Sequence, residues 1–130
     1  MLKMNQLSKT YRTDEVETVA LNAVNIGIDQ GEFVAIMGPS GCGKSTLLNV
    51  VGMLDRPSDG EYLFMGENVA GYGEARLSQI RKQHIGFIVQ NFNLIDELGV
   101  QENIELALLY HGISGEERKH RTEQVLDNVG

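Results

Sequence analysis

Gly38-Pro39-Ser40-Gly41-Cys42-Gly43-Lys44-Ser45-Thr46 is the stretch whose reading decides the fold, because Gly38 to Ser45 fits the pattern Gly-x-x-x-x-Gly-Lys-Ser. The run before it, Phe33-Val-Ala-Ile-Met37, is short, continuous and apolar, which predicts a strand buried on both faces. From Lys44 onward Leu47, Leu48, Val50, Val51 and Leu54 cover most of a helical cylinder, which predicts a largely buried helix. Strand, glycine loop and helix in that order are the context in which this string reads as a phosphate-binding loop. Gly38, Gly41 and Gly43 let the backbone curl with its amides inward, forming an anion nest at a helix N-terminus whose dipole favours negative charge. Lys44 is expected between the two terminal phosphates of a nucleotide, and the Ser45 hydroxyl is expected to ligate Mg²⁺. By average residue usage, four fixed positions at this spacing arise by chance in such a chain on the order of half a percent of the time.

Upstream, Leu2, Met4 and Leu7, then Val19 and Leu21, then Val24, Ile26 and Ile28 alternate loosely with polar residues, which predicts antiparallel strands with one solvated face. Downstream, Asp55-Arg-Pro-Ser-Asp-Gly60 carries strong turn chemistry. Glu61 to Met65 and a stretch around Val69 read as strands separated by Gly66, and Glu74 to Gln83 reads as a helix carrying Leu77 and Ile80 inward. A second buried strand is expected at Ile85-Gly-Phe-Ile-Val89. Val100, Ile104, Ala107 and Leu108 repeat at helical spacing up to a stop at Gly112, and Ser114-Gly-Glu-Glu117 is a capping box opening a polar helix towards Val129. The order of elements makes the class α/β and nucleotide-binding.

Composition narrows the partners. The chain has 130 residues, 42% apolar, enough for an ordinary core, and its net charge of -7 argues against a general nucleic-acid binder, which needs clustered Lys and Arg. No apolar run approaches a membrane span and no signal-peptide core opens the chain, which predicts a cytosolic protein. The single cysteine, Cys42, cannot form an internal disulfide, and Cys and His do not cluster at zinc-ligand spacing.

The stretch Gly31 to Asn49, followed by Leu54-Asp-Arg-Pro-Ser-Asp-Gly-Glu61, Arg81 to Asn93 and Glu102-Asn-Ile-Glu-Leu-Ala-Leu-Leu-Tyr110, resembles the ATPase subunits of ABC transporters, in particular the lipoprotein-releasing and macrolide-export group. The resemblance implies a P-loop NTPase of the ABC ATPase type with an N-terminal antiparallel β subdomain. Residues 1–32 would be mostly antiparallel β, 33–94 the phosphate-loop core through the family's glutamine loop, and 95–130 the start of a helical subdomain. It also implies Mg-ATP as ligand. Tyr11, in Ser8-Lys-Thr-Tyr-Arg12, matches the aromatic residue that stacks on adenine, and Gln90 matches the glutamine that reaches the Mg²⁺ and the attacking water. By position, then, Lys44 and Gln90 are the catalytic residues, Tyr11 and the loop from Gly38 to Thr46 bind nucleotide, and Ser45 and Gln90 reach the metal. Implied partners are transmembrane permease subunits touched through the glutamine loop and a second ATPase subunit, which would set the protein at the inner face of the plasma membrane.

The family's Leu-Ser-Gly-Gly-Gln-like signature, its Asp-Glu strand and its switch histidine do not occur in these 130 residues, and His84, His111 and His120 lie in the wrong context for the last. The expectation is therefore a segment that ends before those parts, binding nucleotide far better than it hydrolyses it. Phe92-Asn-Leu-Ile-Asp-Glu97 imitates the missing strand, but Asn93 interrupts its apolar run, so a solvated loop is expected. Two alternatives stay open: a complete small P-loop NTPase using Asp96 and Glu97, and a non-catalytic nucleotide-sensing module. A GTPase is disfavoured, since Asp96-Glu-Leu-Gly99 has only two fixed letters and no Asn-Lys-x-Asp guanine reader accompanies it. Glu116 to Arg121 reads as a solvated helix face.

Overall fold

The computed structural model describes residues 1–89 and 93–130, which form two compact units, Met1–Gly86 and Phe87–Gly130. In the first unit, β1 (Leu2–Arg12) and β2 (Glu17–Ile28) pair antiparallel as the alternation requires. The apolar spacing slips from two to three between Met4 and Leu7 and again between Leu21 and Val24. The pairing register shifts between Met4 and Leu7, and Gln6 (φ 49°) and Ala23 (φ 48°) sit in left-handed conformations inside the two gaps. An extra residue in each strand brings the apolar side chains back to the same face, as a β-bulge does. Polar side chains satisfy the freed backbone: the Gln6 amide donates to Asn25 Oδ1 (2.9 Å) and the Ala23 amide to Ser8 Oγ (2.9 Å).

After the glycine loop comes α1 (Lys44–Val51), then the turn through Asp55 to Ser58, β3 (Asp59–Phe64), β4 (Glu67–Asn68) and α2 (Glu74–His84). The sheet order is β2-β1-β3-β4, all antiparallel. Leu2, Met4, Leu7 and Leu21 from the hairpin, Leu47 and Val50 from α1, Tyr62 and Phe64 from β3, and Leu77 from α2 make one core. Each such burial contributes about 1.5–3 kcal/mol. Tyr62 joins the layers directly, its buried hydroxyl donating to the Val51 carbonyl at the end of α1 (2.7 Å). Glu74 opens α2 and Arg81, Lys82 and His84 close it, matching the helix dipole. Arg81 pairs with Glu74 and also donates to the Met53 carbonyl (2.6 Å).

Two expected strands are absent. Residues 33–37 have no strand assignment, with Phe33 95% and Met37 89% exposed, and 85–89 likewise, with Ile88 100% exposed. A strand is held by ladder bonds from its neighbours, and among the described residues every strand belongs to the antiparallel sheet and none pairs with either run. The helix α1 is also less buried than its pattern predicts. Leu47 and Val50 face the core while Leu48 is exposed, because only one side of the helix meets the sheet, and Leu54, also exposed, lies beyond the helix end at Val51.

In the second unit, α3 (Val100–Tyr110) begins where the Gly99 amide donates to Glu102 Oε2 (2.7 Å), and Gly112 follows its end at φ 72°. Asn103 Nδ2 donates to the carbonyls of Ile95, Leu98 and Gly99, holding the preceding turn. The helix α4 (Gly115–Val129) is capped by Ser114, whose hydroxyl accepts from the Glu117 amide. The reciprocal half of the expected box is not formed, since the Glu117 carboxylate pairs with Arg121 Nε instead (2.6 Å). Charges from Glu116 to Arg121 are mostly exposed, as a solvated face requires. No helix of the described residues is long and apolar enough to cross a membrane.

Candidate functional site

The glycine loop is built where β2, the loop and α1 meet. Gly43 is the residue before α1 and sits at φ 93°, ψ 5°; a Cβ there would lie 2.5 Å from the Ala20 carbonyl oxygen of β2 and 3.2 Å from Leu21 Cδ2. Only glycine meets both the left-handed backbone and the close approach. Gly41 is left-handed as well, at φ 79°, but a Cβ there would meet nothing within 4 Å.

No side chain caps the start of α1 and no acid lies in its first turn, so its leading amides and the positive end of its dipole are unopposed. The Lys44 side chain does not extend into solvent. Its Nζ donates to the carbonyls of Gly38 (2.9 Å) and Pro39 (2.6 Å), and Cys42 Sγ is 3.6 Å away. The loop carbonyls thus hold the ammonium within the curl of Gly38, Pro39, Ser40, Gly41 and Cys42. An uncapped helix start and a cation held by the glycine loop beside it fit a polyphosphate group. Ser45 is exposed in the first turn of α1, and no cluster of three Asp, Glu, His or Cys able to hold a metal is found among the described residues. That donor set suits Mg²⁺ held chiefly by phosphate oxygens and water.

Tyr11 lies near the end of β1, 42% exposed. Its hydroxyl donates to Asp55 Oδ2 (2.7 Å), and Lys9 Nζ stands 4.9 Å from its ring centroid. Lys9 Nζ also reaches Asp55 Oδ1 (2.5 Å) and the Arg56 carbonyl (2.7 Å), and the Arg56 amide donates to the same Oδ1 (2.7 Å). The hydrogen bond to Asp55 raises the Tyr11 pKa above the ordinary tyrosine value, with burial adding to it and the Thr46 hydroxyl acting weakly the other way. For Asp55, burial pushes the carboxyl up, but Lys9, Tyr11 and the Arg56 amide together outweigh it and hold the group below the usual carboxylate range.

The structure ties Tyr11 to Asp55, in the turn that follows α1. Gln90 lies outside the described residues. Asp96 and Glu97 sit in an exposed turn, not at the end of a strand. Sequence reasoning missed Asp55 and Lys9, which it treated as turn and strand residues. The available signal was the i, i+2 spacing of Lys9 and Tyr11, which turns two side chains to one face of a strand.

Comparison with known proteins identifies the family to which the chain is similar. The family model described as ABC transporter matches residues 21–130. An ABC transporter ATP-binding protein of Thermotoga maritima is 43% identical over the whole chain, which spans 56% of that protein. The macrolide export ATP-binding/permease protein MacB of Azoarcus is 42% identical over the whole chain, which spans 20% of it. Among solved structures, the dimeric ATP-binding cassette MJ0796, in a post-hydrolysis state with ADP and Pi, superposes with a TM-score of 0.89 at 44% identity, covering 98% of this chain and 56% of that one. The chain thus spans about half the length of the single-cassette relatives it matches. A family match over residues 21–130 and a fold shared at this identity lead to one conclusion: the chain belongs to the ABC transporter family.

Proposed function

We propose that this chain binds Mg-ATP as part of an ABC-transporter ATPase that powers export or release of a substrate at a membrane. The observation carrying the proposal is the Lys44 ammonium held by the Gly38 and Pro39 carbonyls beside the uncapped start of α1. In this reading the loop from Gly38 to Thr46 binds the phosphates through its backbone N–H groups, Pro39 having none, Lys44 offsets their charge as it grows during transfer, and the Ser45 hydroxyl would ligate Mg²⁺ when it is bound. The metal, when bound, neutralises the terminal phosphates. The exposed Tyr11 ring packs on adenine, and Gln90 is assigned to the attacking water by its place in the family's motif.

The relatives' greater length supports the rest of the assignment. Residues 33–37 and 85–89 are apolar runs without strand partners among the described residues, and in a longer protein they become central strands once neighbours pair with them. The carboxylates for water activation belong to that additional length, so residues 1–130 bind nucleotide and turn it over poorly. Residues 1–32 then serve as the antiparallel subdomain, 33–94 as the phosphate-loop core and 95–130 as the start of the helical subdomain. A second ATPase subunit and membrane permease subunits complete the machine at the inner face of the plasma membrane; the name MacB and the dimeric cassette structures support both partners. Lipoproteins, macrolides or peptides are the substrate classes proposed.

Steady-state ATP hydrolysis tests the assignment. The 130-residue chain should bind Mg-ATP with negligible turnover, and turnover should appear when the downstream sequence is restored. Turnover by residues 1–130 that Asp96→Asn abolishes would instead make Asp96 and Glu97 the catalytic pair of a complete small NTPase.

A further inference from the structure

We propose that Asp55, braced by Lys9, is a positioning residue that fixes the Tyr11 ring in the orientation that receives the base of the nucleotide. The inference rests on the reading of Tyr11 as the base-stacking residue. An exposed tyrosine at the end of a strand turns freely about two side-chain bonds, and ordering it on binding costs affinity. Here that freedom is already removed. The Tyr11 hydroxyl is tied to Asp55 Oδ2 (2.7 Å), and the Lys9 ammonium covers the ring at 4.9 Å from its centroid.

The anchor itself is fixed. Asp55 Oδ1 is held by Lys9 (2.5 Å) and the Arg56 amide (2.7 Å), and the Asp55 amide donates to the Asn49 carbonyl of α1 (3.2 Å). Ser58 closes the turn back onto β1, its amide donating to the Ser8 carbonyl (2.8 Å) and its hydroxyl accepting from the Thr10 amide (3.0 Å). The carboxylate is thus rigidly attached both to the helix that carries the phosphate loop and to the strand that carries Tyr11. It sets the distance and tilt between the place for the phosphates and the place for the base. Because the hydroxyl proton is committed to Asp55, Tyr11 offers a base its ring face and no hydrogen-bond donor.

Calorimetric titration of the full chain with Mg-ATP and with Mg-tripolyphosphate, which has no base, tests this. Asp55→Asn and Tyr11→Phe should each weaken ATP roughly three- to tenfold, the cost of ordering one side chain, leave tripolyphosphate unchanged, and show no further loss when combined. Tyr11→Phe keeps the ring and the turn, so its result does not depend on Asp55→Asn folding well. Unchanged ATP affinity in both variants, equal losses for ATP and tripolyphosphate in Asp55→Asn, or additive losses in the double variant would each overturn the proposal. Tyr11→Ala separates the two levels. If it weakens ATP while Tyr11→Phe and Asp55→Asn do not, stacking stands and positioning fails; if it has no effect, both fail.

Discussion

Replacing Gly43 with alanine tests whether the phosphate loop is wedged against β2 as the geometry states. The new Cβ would stand 2.5 Å from the Ala20 carbonyl oxygen, a backbone atom that cannot rotate away, and 3.2 Å from Leu21 Cδ2. The residue must also keep φ near 93°, where an alanine is disfavoured by roughly 1–2 kcal/mol. Relieving the overlap by shifting β2 or the loop adds about 1–3 kcal/mol, so the total is about 2–5 kcal/mol out of the 5–15 kcal/mol typical of a domain. Gly41→Ala is the internal control: it shares the left-handed backbone at φ 79° but meets nothing within 4 Å, so it should lose only the first part. Urea unfolding with an unchanged slope reads both losses as midpoint shifts. Equal destabilisation of the two variants, or a Gly43→Ala within about 0.5 kcal/mol of wild type, would refute the close approach to Ala20.

Tyr62→Phe should cost about 1 kcal/mol by urea unfolding, since it removes a buried hydrogen bond to the Val51 carbonyl while keeping the ring. Asp55 has a depressed pKa in the folded chain, so its stabilisation is complete above the unfolded Asp value of about 3.9 and is lost as pH falls below that value through the folded one. The stability gap between wild type and Asp55→Asn should therefore be flat near neutrality and close only in acid. Phe33→Ser should change the stability of the 130-residue chain by less than about 0.5 kcal/mol, but cost about 3–5 kcal/mol in a longer protein that buries the run; equal effects in the two contexts would contradict the pairing proposed for residues 33–37.

The sequence reveals local structure better than it reveals neighbours. The hairpin was legible from alternation, and even its bulges were present as the three-residue gaps from Met4 to Leu7 and from Leu21 to Val24. The glycine loop was legible because its spacing is demanded by backbone geometry that no other residue supplies. Phe33 to Met37 and Ile85 to Val89 form no strand among the described residues because apolar character reports a preference for burial, whereas a strand depends on neighbours that pair from elsewhere. The Ser114 capping box failed by half for a related reason: Glu117 had a second suitor, Arg121, one turn along the helix. Asp55 was invisible as anything but a turn residue, since its partners Lys9 and Tyr11 lie on a strand far away in sequence and only the folded chain brings them to it.

Stability of the chain as a function of Mg-ATP, measured for wild type and Lys44→Ala side by side, bears most directly on the central claim that the loop from Gly38 to Thr46 holds the nucleotide's phosphates. At about 100 times the dissociation constant, nucleotide should add roughly 2.7 kcal/mol to the wild-type unfolding free energy and leave Lys44→Ala almost unmoved. No stabilisation of the wild type, or equal stabilisation of both proteins, would contradict it.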